Sequence, residues 1–125
     1  MQNAAVFLVE DNKDFADSLC ELFPYRGHKV VLRASNLEEA LSIINSNQLQ
    51  ENKVGVAVVD ANFPEAEGKF EVLGGPVVAK AIKDAEPLIK VIANTAMAKR
   101  HVTYGDVYAD KCKCPESLFE AIASL

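Results

Sequence analysis

The stretch VAVVDANFP, residues Val56 to Pro64, contains four small apolar residues in a row and then the carboxylate of Asp60. Short apolar runs rich in valine are typical of strands that are buried on both faces of a parallel sheet. A polar turn with a proline follows the acid, so the strand is predicted to cover residues 54–60. The sequence therefore places a charge at the carboxyl end of a buried strand.

On both sides of this stretch, apolar runs alternate with segments whose apolar residues recur every three or four positions. The predicted strands cover residues 4–10, 29–34, 54–60, 87–96 and 107–111. Helical spacing and capping residues predict helices at residues 14–23, 35–48, from Pro76 onward and from Pro115 onward. This alternation indicates an α/β fold with a five-stranded parallel sheet covered on both faces. Such sheets bind ligands at the carboxyl ends of their strands.

Length and composition restrict the class of protein. A chain of 125 residues suits one domain, which we place at residues 1–125. The formal charge of −5 argues against broad binding to nucleic acids or anionic membranes. The N-terminal apolar run stops at Glu10 and has no basic segment before it, so no signal peptide is expected. Together with three cysteines that form no disulfide framework, this predicts a cytoplasmic location.

Charged and polar side chains lie where the predicted strands end. Glu10 and Asp11 end the first strand, Asp60 the third, Thr95 the fourth and Lys111 the fifth. Because these ends share one edge of the sheet, three carboxylates, a hydroxyl and an ammonium group should meet in one crevice. Neighbouring carboxylates repel one another, and a hard cation such as Mg²⁺ relieves that repulsion. An aspartate beside a cation and a lysine is suited to accept a phosphoryl group.

Taken in order, these motifs resemble the response-regulator receiver domain of two-component signalling. FLVEDN resembles the first strand of that family with its acidic pair, and VVDANFP resembles the third strand with the phosphoacceptor. VIANTA and YADK resemble the fourth and fifth strands. The resemblance covers essentially the whole chain and implies a doubly wound, flavodoxin-like sheet with strand order 2-1-3-4-5. It also implies a stand-alone or excised receiver without a DNA-binding domain. No membrane segment is expected, because no apolar run approaches the roughly 20 residues that a membrane span requires.

The resemblance implies a role for each acidic residue at the strand ends. Asp60 would take a phosphoryl group from a phosphohistidine on a histidine kinase or a phosphotransfer protein. Asp11 would bind Mg²⁺ directly, with Glu10 beside it acting through water. Asp60 and the main-chain carbonyl of Asn62 would complete the set, and Mn²⁺ would substitute for Mg²⁺. The chain would not be a classical enzyme, although it would promote its own phosphorylation and dephosphorylation.

The resemblance also implies which groups respond to the phosphoryl group. Lys111 would pair with Asp60 and then with the phosphoryl oxygens, and Lys113 is its near competitor for that role. Thr95 would hydrogen-bond the phosphoryl group, and Tyr108 would turn inward into the space that Thr95 leaves. Tyr108 has a simpler interpretation as a packed strand aromatic. The switch would change the affinity of an outer face for a downstream protein target.

Two features depart from the family pattern. The segment after Asp60, residues 65–75, is longer than the family's usual connection, which predicts a loop that is either functional or mobile. Only 16 positions separate Thr95 from Lys111, so the fourth helix is predicted to be shortened. These departures leave open an alternative, a pseudo-receiver that keeps the fold and the acidic pocket but is not phosphorylated.

A further alternative, a phosphatase with an aspartate nucleophile, fits less well. Such enzymes usually carry a second aspartate two positions after the nucleophile, where this chain has Asn62. Isolated side chains add no further site: Cys112 and Cys114 are predicted to be plain thiols, and His28 and His101 are predicted to lie at the surface.

Overall fold

The computed structural model describes residues 1–125 and contains a five-stranded parallel sheet. These strands are β1 (Ala5–Val9), β2 (Lys29–Ala34), β3 (Val56–Val59), β6 (Lys90–Thr95) and β7 (Val107–Asp110). The helices are α1 (Lys13–Leu22), α2 (Leu37–Asn45), α3 (Gln48–Glu51), α4 (Gly75–Ala85) and α5 (Glu116–Ala123). The strands lie side by side in the order β2-β1-β3-β6-β7. Counted along the chain within this sheet alone, that order is 2-1-3-4-5, so the predicted α/β class and strand order are confirmed.

The sheet separates two apolar cores, because neighbouring residues of a strand point to opposite faces. Phe7 and Val59 face the core that α2 and α4 cover, whereas Leu8 and Val58 face the core on the side of α1 and α5. All four residues are essentially inaccessible to solvent. The central strands are thus buried on both faces, as their continuous apolar sequences predicted.

Asparagine caps fix where the first two long helices begin. The side chain of Asn12 accepts a hydrogen bond of 3.0 Å from the main-chain N–H of Phe15 at the start of α1. Asn36 accepts one of 2.8 Å from the N–H of Glu39 at the start of α2, and the Glu39 carboxylate reaches back to Ser35. These bonds satisfy donors that a helix leaves unpaired in its first turn. The cap of α1 sets the path of the chain directly after the acidic pair.

The long segment after β3 is a folded hairpin. Its strands are β4 (Phe63–Pro64) and β5 (Glu71–Val72), which pair antiparallel. Phe63 is fully buried in the core beneath α4, and the main-chain N–H of Glu38 donates a bond of 2.9 Å to the carbonyl of Glu65. The hairpin is therefore attached both to the core and to the start of α2.

Between β6 and β7 the chain has no α-helix. A single 3₁₀ turn, Lys99–His101, stands where the shortened fourth helix was predicted, and the shortening is confirmed. Tyr104 packs against the core on the α4 side instead. Its ring lies so close to Gly75 that a Cβ atom there would meet Tyr104 Cζ at 2.7 Å and the main-chain oxygen of Asp60 at 2.7 Å. The start of α4 thus approaches the end of β3 as closely as a glycine allows.

Candidate functional site

The predicted strand-end residues converge at the carboxyl edge of the sheet. Glu10 and Asp11 directly follow β1, Asp60 follows β3, and Lys111 follows β7. These side chains line one open cavity of about 360 Å³ together with Thr95, the last residue of β6. The parallel topology brings together residues that lie up to 101 positions apart in the chain, which is what the strand-end pattern predicted.

Three carboxylates form the centre of this cavity. One oxygen each from Glu10, Asp11 and Asp60 lies within 4.8 Å of the others. Glu10 and Asp60 are buried, and each also accepts a main-chain hydrogen bond: Glu10 Oε2 from Asn12 at 3.0 Å and Asp60 Oδ1 from Ala61 at 2.7 Å. An all-oxygen donor set held in this way matches the preference of Mg²⁺ for hard ligands. Asn62, whose carbonyl was predicted to join the set, lines the same cavity.

Lys111 supplies the positive charge of the site. Its Nζ lies 2.7 Å from Glu10 Oε1 and 2.9 Å from Asp60 Oδ2, and it stands 4.9 Å from the ring centroid of Phe15. Lys113, the competing candidate, is exposed and makes no ion pair. The structure therefore places the amine of Lys111, and not that of Lys113, beside the predicted acceptor.

One ammonium group does not neutralise three carboxylates, and the ionisation of Glu10 reflects this. Burial raises the pKa of Glu10, and the charge of Asp60 raises it further, against the opposing hydrogen bonds from Lys111 and Asn12. Burial alone would lower the pKa of Lys111, but its bonds to Glu10 and Asp60 outweigh burial and raise that pKa. The site thus has excess negative charge that a divalent cation would neutralise.

This ionisation predicts how stability depends on pH in the absence of divalent cations. Because folding raises the pKa of Glu10, the folded chain binds a proton at this carboxyl group more tightly than the unfolded chain does. The stabilisation that this proton provides is full below the ordinary pKa of 4.5, and it is lost as the pH rises through the raised pKa of the folded chain. We expect Glu10→Gln to raise the free energy of unfolding at pH 7 by on the order of 1 kcal/mol. The difference from the wild type should shrink towards pH 4.5.

Urea unfolding in a chelating buffer measures this effect. The matched control is Glu21→Gln, which removes the same charge from an exposed position of α1. A Glu10→Gln variant that is less stable than the wild type at pH 7 would contradict the account of the site's charge.

The two predicted switch residues are arranged around one short segment. Thr95 is 2 % exposed, and its Oγ1 accepts a hydrogen bond of 3.2 Å from the main-chain N–H of Met97. The Tyr108 hydroxyl donates a bond of 2.8 Å to the carbonyl of Met97. Tyr108 does not line the acidic cavity. It lines a different cavity, together with Lys99 and Tyr104. Its inward movement therefore stays a prediction, although a hydrogen bond links it to the segment that follows Thr95.

Sequence reasoning missed two residues near Asp60. The Tyr104 hydroxyl donates a hydrogen bond of 2.7 Å to the carbonyl of Val59, the residue directly before Asp60. Burial is the main cause that raises the pKa of Tyr104, and the negative charges of Asp60 and Glu10 raise it further. Glu71 of the hairpin lines the acidic cavity. No motif or spacing identifies either residue, because each reaches the site through an irregular connection that this chain folds in its own way.

Comparisons with known proteins identify the fold. A CheY-like response regulator receiver domain protein from Methanospirillum hungatei is 20% identical, with a TM-score of 0.76 over 97% of this chain and 91% of that one. The response regulator TrrA from Thermotoga maritima, solved in complex with Mg²⁺-BeF, is 22% identical, with a TM-score of 0.75 over 97% of both chains. A receiver domain of a Francisella response regulator gives 22% identity and a TM-score of 0.75 over 98% of this chain and 95% of that one.

These similarities show that the chain has the receiver-domain fold over nearly its whole length. No protein-family model matches the sequence, and no curated protein matches it. None of its helices combines the length and the apolar character that crossing a membrane requires.

Proposed function

We propose that residues 1–125 form a receiver domain of a two-component or phosphorelay system, in which Asp60 accepts a phosphoryl group. One observation carries this proposal: Lys111 Nζ lies between Glu10 and Asp60, and the carboxylate oxygens of Glu10, Asp11 and Asp60 gather within 4.8 Å. The third carboxylate adds repulsion that one ammonium group does not neutralise, whereas a cation-dependent phosphoacceptor uses such carboxylates to hold its ion.

Mg²⁺ is the cofactor that this donor set fits, and Mn²⁺ would replace it. Glu10, Asp11 and Asp60 would hold the ion, together with the main-chain carbonyl of Asn62. The bound ion would neutralise the carboxylates and the charge on the transferred phosphoryl oxygens. The metal complex of TrrA is a property of that protein, and it supports the same assignment for this fold.

The side chains of the site would perform the transfer as follows. A carboxylate oxygen of Asp60 forms a bond to phosphorus, and the P–N bond of a phosphohistidine breaks, so that the imidazole leaves with the bonding electrons. Asp60 needs no proton removed, because it attacks as the carboxylate. Lys111 moves from the carboxylate to the transferred oxygens, and the Thr95 hydroxyl donates a hydrogen bond to one of them.

The readout would be a change in protein binding. Thr95, Met97 and Tyr108 are connected by hydrogen bonds, so that a movement of Thr95 towards the phosphoryl group would change the contact that holds Tyr108 outside. We propose a histidine kinase or a phosphotransfer protein as the phosphodonor and a downstream protein as the target, in the cytoplasm. Phosphorylation would bias a pre-existing equilibrium between two conformations of the domain.

One observation favours a second candidate, the non-phosphorylated pseudo-receiver. Receiver domains ordinarily carry a full helix between the fourth and fifth strands of the sheet, and this chain has only the 3₁₀ turn Lys99–His101. A chain that has lost part of its switching face could keep the fold for binding alone. The two candidates differ in whether Asp60 is modified.

Phosphorylation by a small donor tests the proposal. We expect the wild type to gain one phosphoryl group from phosphoramidate when Mg²⁺ is present, because this donor carries the same P–N bond as phosphohistidine. Intact-mass spectrometry measures the product. In excess chelator the gain should fall at least about tenfold, because the carboxylates then stay unneutralised. No adduct under any divalent cation would leave only the pseudo-receiver.

A further inference from the structure

The hairpin formed by β4 and β5 places one more carboxylate on the wall of the acidic cavity. In its antiparallel ladder Phe63 pairs with Val72, and Pro64 pairs with Glu71. Neighbouring residues of a strand point to opposite faces, and Phe63 points into the core. Glu71 therefore points away from the core, and it lines the same cavity as Asp60 and Lys111.

Main-chain hydrogen bonds hold this hairpin against the site. The Glu65 carbonyl accepts a bond of 2.9 Å from the start of α2, and the Glu65 N–H donates one of 3.2 Å to Phe70 across the hairpin. The segments that flank the hairpin are also joined, since the N–H of Gly75, the first residue of α4, donates a bond of 2.9 Å to the carbonyl of Ala61. Because the main chain is attached on both sides of the hairpin, the fold places Glu71 on the cavity wall.

The charge of Glu71 is not used within the chain. Its carboxylate takes part in no ion pair and accepts no hydrogen bond, whereas the partly exposed Asp17 and the exposed Asp84 are each paired with a lysine. Glu71 is also not one of the three residues whose oxygens gather within 4.8 Å. With Glu71 the cavity carries four carboxylates against the single ammonium group of Lys111.

We propose that Glu71 strengthens Mg²⁺ binding from the cavity wall without being a direct ligand, and that this is a function of the hairpin. A carboxylate outside the ligand set acts by adding negative potential and by accepting hydrogen bonds from the water molecules that Mg²⁺ retains. The inference rests on the proposed function, because it assigns Glu71 to the same cation. It makes Glu71 a positioning residue, since it does not contact the reacting atoms.

A Mg²⁺ titration of the complete chain, followed by two-dimensional amide NMR, tests this inference without phosphorylation. Glu71→Gln should weaken Mg²⁺ binding about three- to tenfold, because an exposed carboxylate acts on the ion through partly screened charge. The matched control is Glu67→Gln, which removes the same charge from the exposed turn of the same hairpin and does not line the cavity. Its effect should stay below about twofold.

The outcomes separate the inference from the function on which it rests. Weaker binding in Glu71→Gln than in Glu67→Gln supports the role of Glu71. Equal affinities in the two variants, with clear binding by the wild type, would overturn the inference and leave the metal site intact. If Mg²⁺ shifts no amide near Asp11, Asp60 or Asn62 in the wild type, the metal-dependent function itself fails.

Discussion

Lys111→Met is expected to lower the rate of phosphorylation by phosphoramidate about 100-fold, because the variant loses the charge that stabilises the transferred oxygens. In the wild type the amine already lies 2.9 Å from Asp60 Oδ2 and 2.7 Å from Glu10 Oε1. Intact-mass spectrometry at successive times gives the rate. The matched control is Lys113→Met, which removes the same charge from an exposed position two residues away and should react at the wild-type rate.

The same variant should change stability and metal binding in opposite directions. Without divalent cations, Lys111→Met leaves the buried carboxylates of Glu10 and Asp60 unpaired, and we expect the free energy of unfolding to fall by about 2 kcal/mol. With the ammonium charge removed, Mg²⁺ should bind more tightly and restore part of this loss. Urea unfolding with and without Mg²⁺ measures both effects. A variant that reacts as fast as Lys113→Met would contradict the role given to Lys111.

Asp11→Asn is expected to weaken Mg²⁺ binding at least about 30-fold, because it removes one of the three carboxylates that would hold the ion. Asp11 forms no ion pair within the chain, so the change should cost little stability in a metal-free buffer. The amide titration with Mg²⁺ gives the affinity directly. Its matched control is Asp14→Asn, an exposed acid in the first turn of α1 that lies outside the cavity.

Phosphorylation at limiting Mg²⁺ should fall in Asp11→Asn in proportion to the lost affinity, and it should recover at higher Mg²⁺ concentrations. If Asp11→Asn and Asp14→Asn bind Mg²⁺ equally well, the ion does not use the acidic pair, and the geometry of the three carboxylates has another cause.

The sequence predicted which side chains meet at this edge because they stand at the ends of regular strands. Asp60 and Thr95 follow or end buried apolar runs, and parallel pairing brings such ends to one edge whatever the length of chain between them. The carboxyl ends of β1 and β3 were predicted within one residue, since their apolar runs stop at a charged side chain. Hydrophobic pattern and topology alone were sufficient for this part.

The irregular connections could not be predicted in the same way. The hairpin depends on pairing Phe63 with Val72 and on a bond from Glu38 to Glu65, which are tertiary contacts with no local sequence signal. The position of Tyr104 behind Asp60 depends on the missing helix between β6 and β7 and on the close approach of Gly75. Residues that reach a site through such segments become visible only in the folded chain.

The predicted surface position of His28 was wrong, for a related reason. His28 is 7 % exposed, its Nδ1 accepts a hydrogen bond of 3.0 Å from the main-chain N–H of Ala4, and its ring stands edge-on to Phe23. Burial lowers the pKa of this histidine, which favours the neutral ring that accepts the bond. An isolated histidine gives no sign of such a partner in the sequence, because Ala4 lies 24 positions away.

The most direct test of the phosphoacceptor is the mass of Asp60→Asn after exposure to phosphoramidate and Mg²⁺. Asparagine keeps the size of the side chain but removes the nucleophilic carboxylate, so this variant should gain no phosphoryl group. Asp14→Asn, treated in parallel, should gain one, as the wild type does. An Asp60→Asn variant that gains a phosphoryl group to the wild-type extent would show that another residue is the acceptor and would contradict the account.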